Sequence, residues 1–207
     1  MNNKKHVSLK DLAEELGVSV STVSRALKDS PEVGEEMRER VKKLAGEWNY
    51  RPNPFAISLL KNNPRIIGII VPDIVTHFYS SIISGISDVA RKNHYSVIIT
   101  SSYEQYELEK QCVEDLMNIR VEGIIACISQ ETTDYAHFES LIMQRVPLVF
   151  FDRVCLHGRC SCVVADNAES GKAATEHFLH HGAKRIGFIG GANHLDIVKQ
   201  RKHGYVE

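Results

Sequence analysis

The sequence predicts two modules of different class: an all-α headpiece of three short helices, then a doubly wound α/β domain. Apolar residues recur at helical spacing as far as residue 48, whereas from Ile66 onward short, uniformly apolar runs alternate with helical stripes. The charge follows the same division. Residues 1–65 hold twelve Lys and Arg against nine Asp and Glu, and the remainder holds thirteen against seventeen. The net charge of −1 over 207 residues would not suggest a nucleic-acid partner, but a basic N-terminal module ahead of an acidic body does.

Ser8 and Asp11 form a Ser-x-x-Asp capping box, so a helix should begin at Leu9. Leu9, Leu12, Ala13 and Leu16 then follow one helical face, and Gly17 supplies the left-handed conformation that stops it. Ser19 can cap a second helix over about 20–28, with Val23, Ala26 and Leu27 on one side and Ser21, Ser24 and Arg25 on the other. That outward face is small, polar and cationic. Small hydroxyls let a backbone approach base edges, and an arginine can bond bidentately to guanine, so the pair predicts a DNA-reading helix-turn-helix. A third helix over 35–48 closes the small core with Met37, Val41, Leu44, Ala45 and Trp48.

Asn53-Pro54 reads as an N-cap followed by proline at the first helical position, starting a segment over 54–61 too short to hold as an isolated helix in water. Asn62-Asn63-Pro64 then separates the modules. In the second module strands are expected at 66–71, 96–101, 123–128, 147–151, 162–165 and 185–189. Helices around 79–94 and 105–119 bury Ile82, Ile86 and Val89, and Leu108, Cys112 and Leu116. Strands apolar on both faces and joined by helices form a parallel sheet covered on each side. Ligands of such sheets bind beyond the carboxyl ends of the strands. Here those ends carry Asp73 to Tyr79, Ser101 to Tyr103, and Asp152-Arg153, where rings beside a carboxylate and a guanidinium suit a sugar, a nucleoside or a similar polar metabolite.

The motifs Val-Ser-Leu-Lys-Asp-Leu-Ala (7–13), Gly-Val-Ser-Val-Ser-Thr-Val-Ser-Arg-Ala-Leu (17–27) and Asn-Tyr-Arg-Pro-Asn (49–53) resemble the lactose-repressor (LacI/GalR) family of bacterial transcription regulators. The resemblance continues, in order, through Ile-Gly-Ile-Ile-Val-Pro-Asp (67–73), Val-Glu-Gly-Ile-Ile (121–125), Phe-Asp-Arg (151–153), Asp-Asn (166–167) and Arg-Ile-Gly-Phe-Ile-Gly-Gly (185–191). It implies a helix-turn-helix domain at 1–52, a hinge helix and linker at 53–65, and a periplasmic-binding-protein-like effector domain. The first lobe of that domain would be 66–165, and 166–207 would begin a second lobe that the chain leaves incomplete. Val20 and Ser21 would be base-reading residues, Arg25 the major-groove arginine, and Ser8, Ser19, Ser24 and Tyr50 phosphate-positioning residues. Gly34 stands where a Ser or Thr usually caps the third helix, and Met37 replaces a common phosphate-contacting Thr. Leu59 matches the leucine that wedges into the minor groove, with Ala56 one turn before it. Ile57 and Leu60 replace polar residues.

By the same resemblance Phe78 and Tyr79 contact the effector, and Lys199 or Arg201 supplies the second lobe's cation. The usual Asn-Pro before the two rings is Thr76-His77 here. The alternative is that Phe78 and Tyr79 simply pack where a helix starts. The implied protein is a homodimeric repressor of a palindromic operator, controlled by a small-molecule effector. No cofactor or metal is implied: the five cysteines lack paired spacing, the ten histidines lack ligand spacing, and no Gly-x-Gly-x-x-Gly follows the first strand. A solute-binding protein would need an export signal and no DNA module; an enzyme would need a nucleophile elbow, phosphate loop or metal cluster. With no secretory segment after Met1 and no run near the ~18 apolar residues of a membrane span, the expected compartment is the cytoplasm.

Overall fold

The computed structural model describes residues 7–50 and 64–207, which divide into two units, Met1–Asn62 and Asn63–Glu207. The segment expected to form the hinge helix, with Ala56 and Leu59, lies outside the described residues.

In the first unit Ser8 caps α1 (Leu9–Leu16) reciprocally. Its Oγ accepts from Asp11 N–H at 3.3 Å, and Asp11 Oδ2 accepts from Ser8 N–H at 2.7 Å. Gly17 ends the helix at φ 64°. Ser19 Oγ then accepts from Thr22 N–H at 3.1 Å and starts α2 (Val20–Ala26). This helix stops two residues before the expected Lys28. Lys28 and Asp29 N–H donate only three residues back, to Arg25 and Ala26 carbonyls, and Asp29 turns left-handed at φ 57°. α3 (Glu35–Glu47) follows, and Leu12, Ala13, Val23, Ala26, Val41 and Ala45 from the three helices form one buried core.

The second unit is built on a parallel sheet of β1 (Ile66–Val71), β2 (Ser96–Ser101), β3 (Gly123–Ala126), β4 (Leu148–Phe151) and β5 (Ser161–Val163), in the order β2-β1-β3-β4-β5. The helices are α4 (His77–Lys92), α5 (Tyr106–Ile119), α6 (Ala136–Met143), α7 (Asn167–His180) and α8 (Asp196–Val206). The period of two along β1 sorts its side chains between two cores. Ile69 and Val71 pack with Tyr79, Cys127 and Phe151 against Ile82, Ile83 and Ile86 of α4. Ile66 and Ile70 pack with Ile124, Ala126 and Phe150 against Cys112, Val113 and Leu116 of α5 and Phe138 and Leu141 of α6. The chain leaves β1 for β2 on one side and reaches β3 on the other, so the sheet reverses direction beside β1.

Three expectations need correction. No strand forms at 185–189: none of the described strands lies beside it, Ile189 is 99% exposed, and Phe188 stacks on Tyr205 of α8 at 5.4 Å instead. A strand exists only through a ladder partner. Leu108 is exposed because α5 turns Glu109 inward; that carboxylate is fully buried and accepts from Ser129 N–H and Oγ (2.5 and 2.9 Å) and Thr132 Oγ1 (2.8 Å), with His137 Nε2 at 2.8 Å. Val89 is 61% exposed, and its neighbour Ala90 takes the inward place.

Gly68 marks the closest approach of helix to sheet: a Cβ there would meet Leu116 Cδ1 at 2.6 Å, and Leu116 is wholly buried. Gly68→Ala should therefore destabilise the unit by about 1–3 kcal/mol through overpacking. Gly85, inside α4 with open space around it, should respond oppositely, Gly85→Ala adding about 1 kcal/mol of helix propensity. Urea unfolding of the two variants beside the parent checks both signs.

Candidate functional site

The first unit offers the exposed face of α2. Val23 and Ala26 hold the helix to the core, which leaves Val20, Ser21 and Arg25 exposed and Ser24 half-buried on the other side. Ser19 Oγ shares hydrogen bonds with Ser21 Oγ (2.7 Å) and Thr22 Oγ1 (2.8 Å), a small hydroxyl cluster at the start of the helix. Arg25 Nε lies 3.2 Å from Glu32 Oε2, with both side chains in solvent. Ser8 is engaged in its cap, and its hydroxyl donates to Asp11 Oδ2 at 2.7 Å. Tyr50 packs against the headpiece core, and burial raises its phenol above the usual range.

α3 starts at Gly34 with no side-chain cap, at φ −57° and ψ 150°, an extended conformation open to any residue. A Cβ there would meet nothing within 4 Å. Gly34→Ser should stabilise α3 by about 0.5–1 kcal/mol, through a new cap bond and a less flexible unfolded chain. Slower hydrogen exchange of the α3 amides is the measurement.

In the second unit a cavity of about 420 Å³ opens where β3 and β4 end, walled by Phe78, Gln130, Asp152, Arg153, Val198 and Arg201. Phe78, at the start of α4, is half-exposed at its edge, and its ring meets Tyr79 edge-on at 5.2 Å. Tyr79 itself is 6% exposed, packed beneath the sheet with its hydroxyl 3.7 Å from Cys127 Sγ; burial pushes its phenol far up. It is a core residue here, because position 79 falls on the inward face of α4. Asp73 is not on the cavity wall. Its carboxylate accepts from Val75 N–H (2.8 Å), Thr76 N–H (3.0 Å) and Thr76 Oγ1, tying down the loop that starts α4, and these bonds, the Thr76 hydroxyl's first, hold it below the usual carboxylate range. Of the two candidate cations on α8, Arg201 lines the cavity, with Nε donating to Asn167 Oδ1 at 3.0 Å. Lys199 turns to Asp196 at 3.3 Å.

Sequence reasoning missed several participants. Gln130 follows β3 on an irregular loop, and Asn167 sits in the quoted Asp-Asn motif without an assigned task. Glu104 lies just beyond the segment flagged after β2. It receives Arg153 Nη1 at 2.9 and 2.7 Å and Gln130 N–H at 2.6 Å. Among the described residues no cluster of three or more His, Cys, Asp or Glu is placed to hold a metal, and no helix is long and apolar enough to cross a membrane.

Asp152, at φ 57° just after β4, is the strained and charged residue of the cavity. Burial raises its carboxyl above 3.8, and the Arg153 and Arg201 charges oppose that shift only partly. A folded-state pKa above the unfolded one gives stability that is fully present at low pH and lost as pH rises through the folded value. Asp152→Asn should thus raise the melting temperature at neutral pH, and the gain should shrink below the ordinary carboxylate pKa of 3.8. Melting curves of both proteins across that pH range carry the test.

The family described as "Bacterial regulatory proteins, lacI family" matches residues 1–53, and "Periplasmic binding proteins and sugar binding domain of LacI family" matches residues 65–207. The HTH-type transcriptional regulator MalR of Streptococcus pneumoniae is 34% identical over 204 residues, 96% of this chain and 61% of its own length. The ribose operon repressor of Bacillus subtilis is 35% identical over 200 residues, 97% of this chain and 59% of its own. A solved lac repressor dimer, bound to operator and the anti-inducer ONPF, superposes with a TM-score of 0.72 at 26% identity, over 98% of this chain and 61% of that one. The chain thus spans about 60% of the length of the relatives it matches.

Proposed function

This chain belongs to the LacI family of bacterial regulatory proteins, and we propose that it is a sequence-specific DNA-binding regulator under the control of a small metabolite. The observation that carries the reading is the α2 face. A helix fixed to its core by Val23 and Ala26 turns Val20, Ser21, Ser24 and Arg25 outward directly after a Gly17–Ser19 turn. Val20 and Ser21 read base edges, and Arg25 bonds a guanine. Ser8, Ser19, Ser24 and Tyr50 set the register on phosphates. Residues 1–52 are the reading head, 53–65 the hinge that places Ala56 and Leu59 in the minor groove, 66–165 the first sensor lobe and 166–207 the start of the second.

The effector is a sugar or a nucleoside-like compound in the cavity beside Phe78, Asp152, Arg153 and Arg201. Asp73 shapes the adjoining loop, while Tyr79 supports Phe78 from beneath; Lys199 steadies the start of α8 through Asp196. The chain acts as a homodimer on a palindromic operator and represses by default, as the relatives named repressors do. Binding of the effector changes the affinity of the dimer for DNA through a coupling free energy between the two sites. The compartment is the cytoplasm, where operator and metabolite meet.

Selection from a random duplex library by this chain, followed by a salt titration on the winners, tests the reading. A two-fold-symmetric site that stays preferred as salt rises is the expected result; recovery of nothing but salt-sensitive, sequence-blind binding refutes it. On the winning site Arg25→Gln should cost about 1–3 kcal/mol and relax one base position per half-site. Tyr50→Phe should weaken all duplexes alike. Competition binding on single-base variants separates the two effects.

A further inference from the structure

The cavity wall carries two guanidiniums, Arg153 and Arg201, which is the equipment of a site for phosphate or carboxylate. Neither is left to face a ligand alone. Arg153 Nη1 is gripped by both oxygens of Glu104, at 2.9 and 2.7 Å, with the arginine side chain largely buried. Arg201 Nε is bonded to Asn167, and its charge, after that of Arg153, favours the ionised form of the Asp152 carboxylate on the same wall. Two carboxylates therefore offset two guanidiniums, and the wall is close to neutral as a set.

The grip on Arg153 is built into the backbone. Glu104 and the preceding Tyr103 both adopt left-handed conformations, φ 63° and 50°, which non-glycine residues rarely take and which cost free energy at each position. The Glu104 carboxylate also accepts Gln130 N–H at 2.6 Å. One side chain thus ties together the loops that follow β2, β3 and β4, and the two residues it holds, Gln130 and Arg153, line the cavity. A phosphorylated ligand entering here would have to displace Glu104 from both partners or lie close to its charge, and a like charge in a partly buried site is heavily penalised. Hydroxyl groups face no such conflict, because they both donate to carboxylates and accept from guanidiniums.

We propose that Glu104 is a specificity-determining residue that makes this cavity a site for an uncharged, hydroxyl-rich ligand and closes it to phosphate esters. The inference rests on the cavity being the effector site and narrows the ligand class to neutral polyols.

The probe is inorganic phosphate, titrated by calorimetry against the chain and its Glu104 and Arg153 variants. The parent protein should show no saturable binding through the millimolar range. Glu104→Gln removes the charge while its amide oxygen still accepts from Gln130 N–H, and it should bind phosphate at least roughly tenfold more tightly than the parent. Adding Arg153→Gln to that variant should abolish the gain. Glu104→Ser serves the same purpose if circular dichroism shows that the glutamine variant does not fold. Saturable phosphate binding by the parent that is lost in Arg153→Gln overturns the proposal, and so does a folded Glu104 variant that gains nothing. No DNA enters this experiment, so a failed duplex selection would sink the regulator reading without deciding the cavity's charge preference.

Discussion

Burial of β1 on both faces is the constraint on which the second unit depends. A strand of six residues with no polar side chain cannot leave either face to water, so Ile69 and Val71 require α4 above one face and Ile66 and Ile70 require α5 and α6 above the other. Each fully buried side chain of this size contributes about 1.5–3 kcal/mol. Gly68 sets how close α5 can come. Once α4 and α5 lie on opposite faces, the crossover from β1 to β2 and the one from β2 to β3 must run in opposite directions. A crevice opens where they diverge, and the residues just past the strand ends become its wall. Asp152, Arg153 and Gln130 are therefore placed by hydrophobic packing that none of them takes part in.

The same division of labour holds at smaller scale in the first unit. Three helices of 8, 7 and 13 residues are too short to persist alone, and their stability comes from Leu12, Val23 and Val41 meeting at the centre. The caps then decide where each helix begins. Ser8 and Ser19 use their hydroxyls locally, which fixes the outward direction of Val20 and Ser21 to within a helical turn. A face made of short side chains needs this, since it has no length with which to correct a misplaced backbone.

Most of the fold was legible because it rests on periodicity and on end signals, both local in sequence. The capping box at Ser8, the stop at Gly17, and strands β1 and β2 all stood where the pattern put them. What was illegible depends on partners far away in the chain. A segment such as 185–189 has strand composition, but a ladder requires a neighbour, and pattern cannot supply one. Pattern alone turns Leu108 inward in place of Glu109, because a carboxylate counts as solvent-facing until Ser129, Thr132 and His137 are known to surround it. The cavity was half legible: Phe78, Asp152, Arg153 and Arg201 do line it, whereas Tyr79 and Asp73 serve the structure behind it. Glu104 gave no local signal, because its role arises only when three strand ends are brought together.

Two of the arginine–glutamate pairs show how environment turns one chemistry to different uses. Arg25 and Glu32 meet in full solvent, where such a pair is worth at most about 1 kcal/mol and salt weakens it further. A partner held so loosely is readily exchanged, so the pair restrains Arg25 without committing it. Arg153 and Glu104 meet where the arginine is largely removed from water, with a second hydrogen bond from the Gln130 backbone on the same carboxylate. Breaking that pair would strand a partly buried charge, a far larger penalty than losing the bond itself. The exposed arginine therefore stays free to exchange partners, and the buried one is committed to the partner that folding has given it.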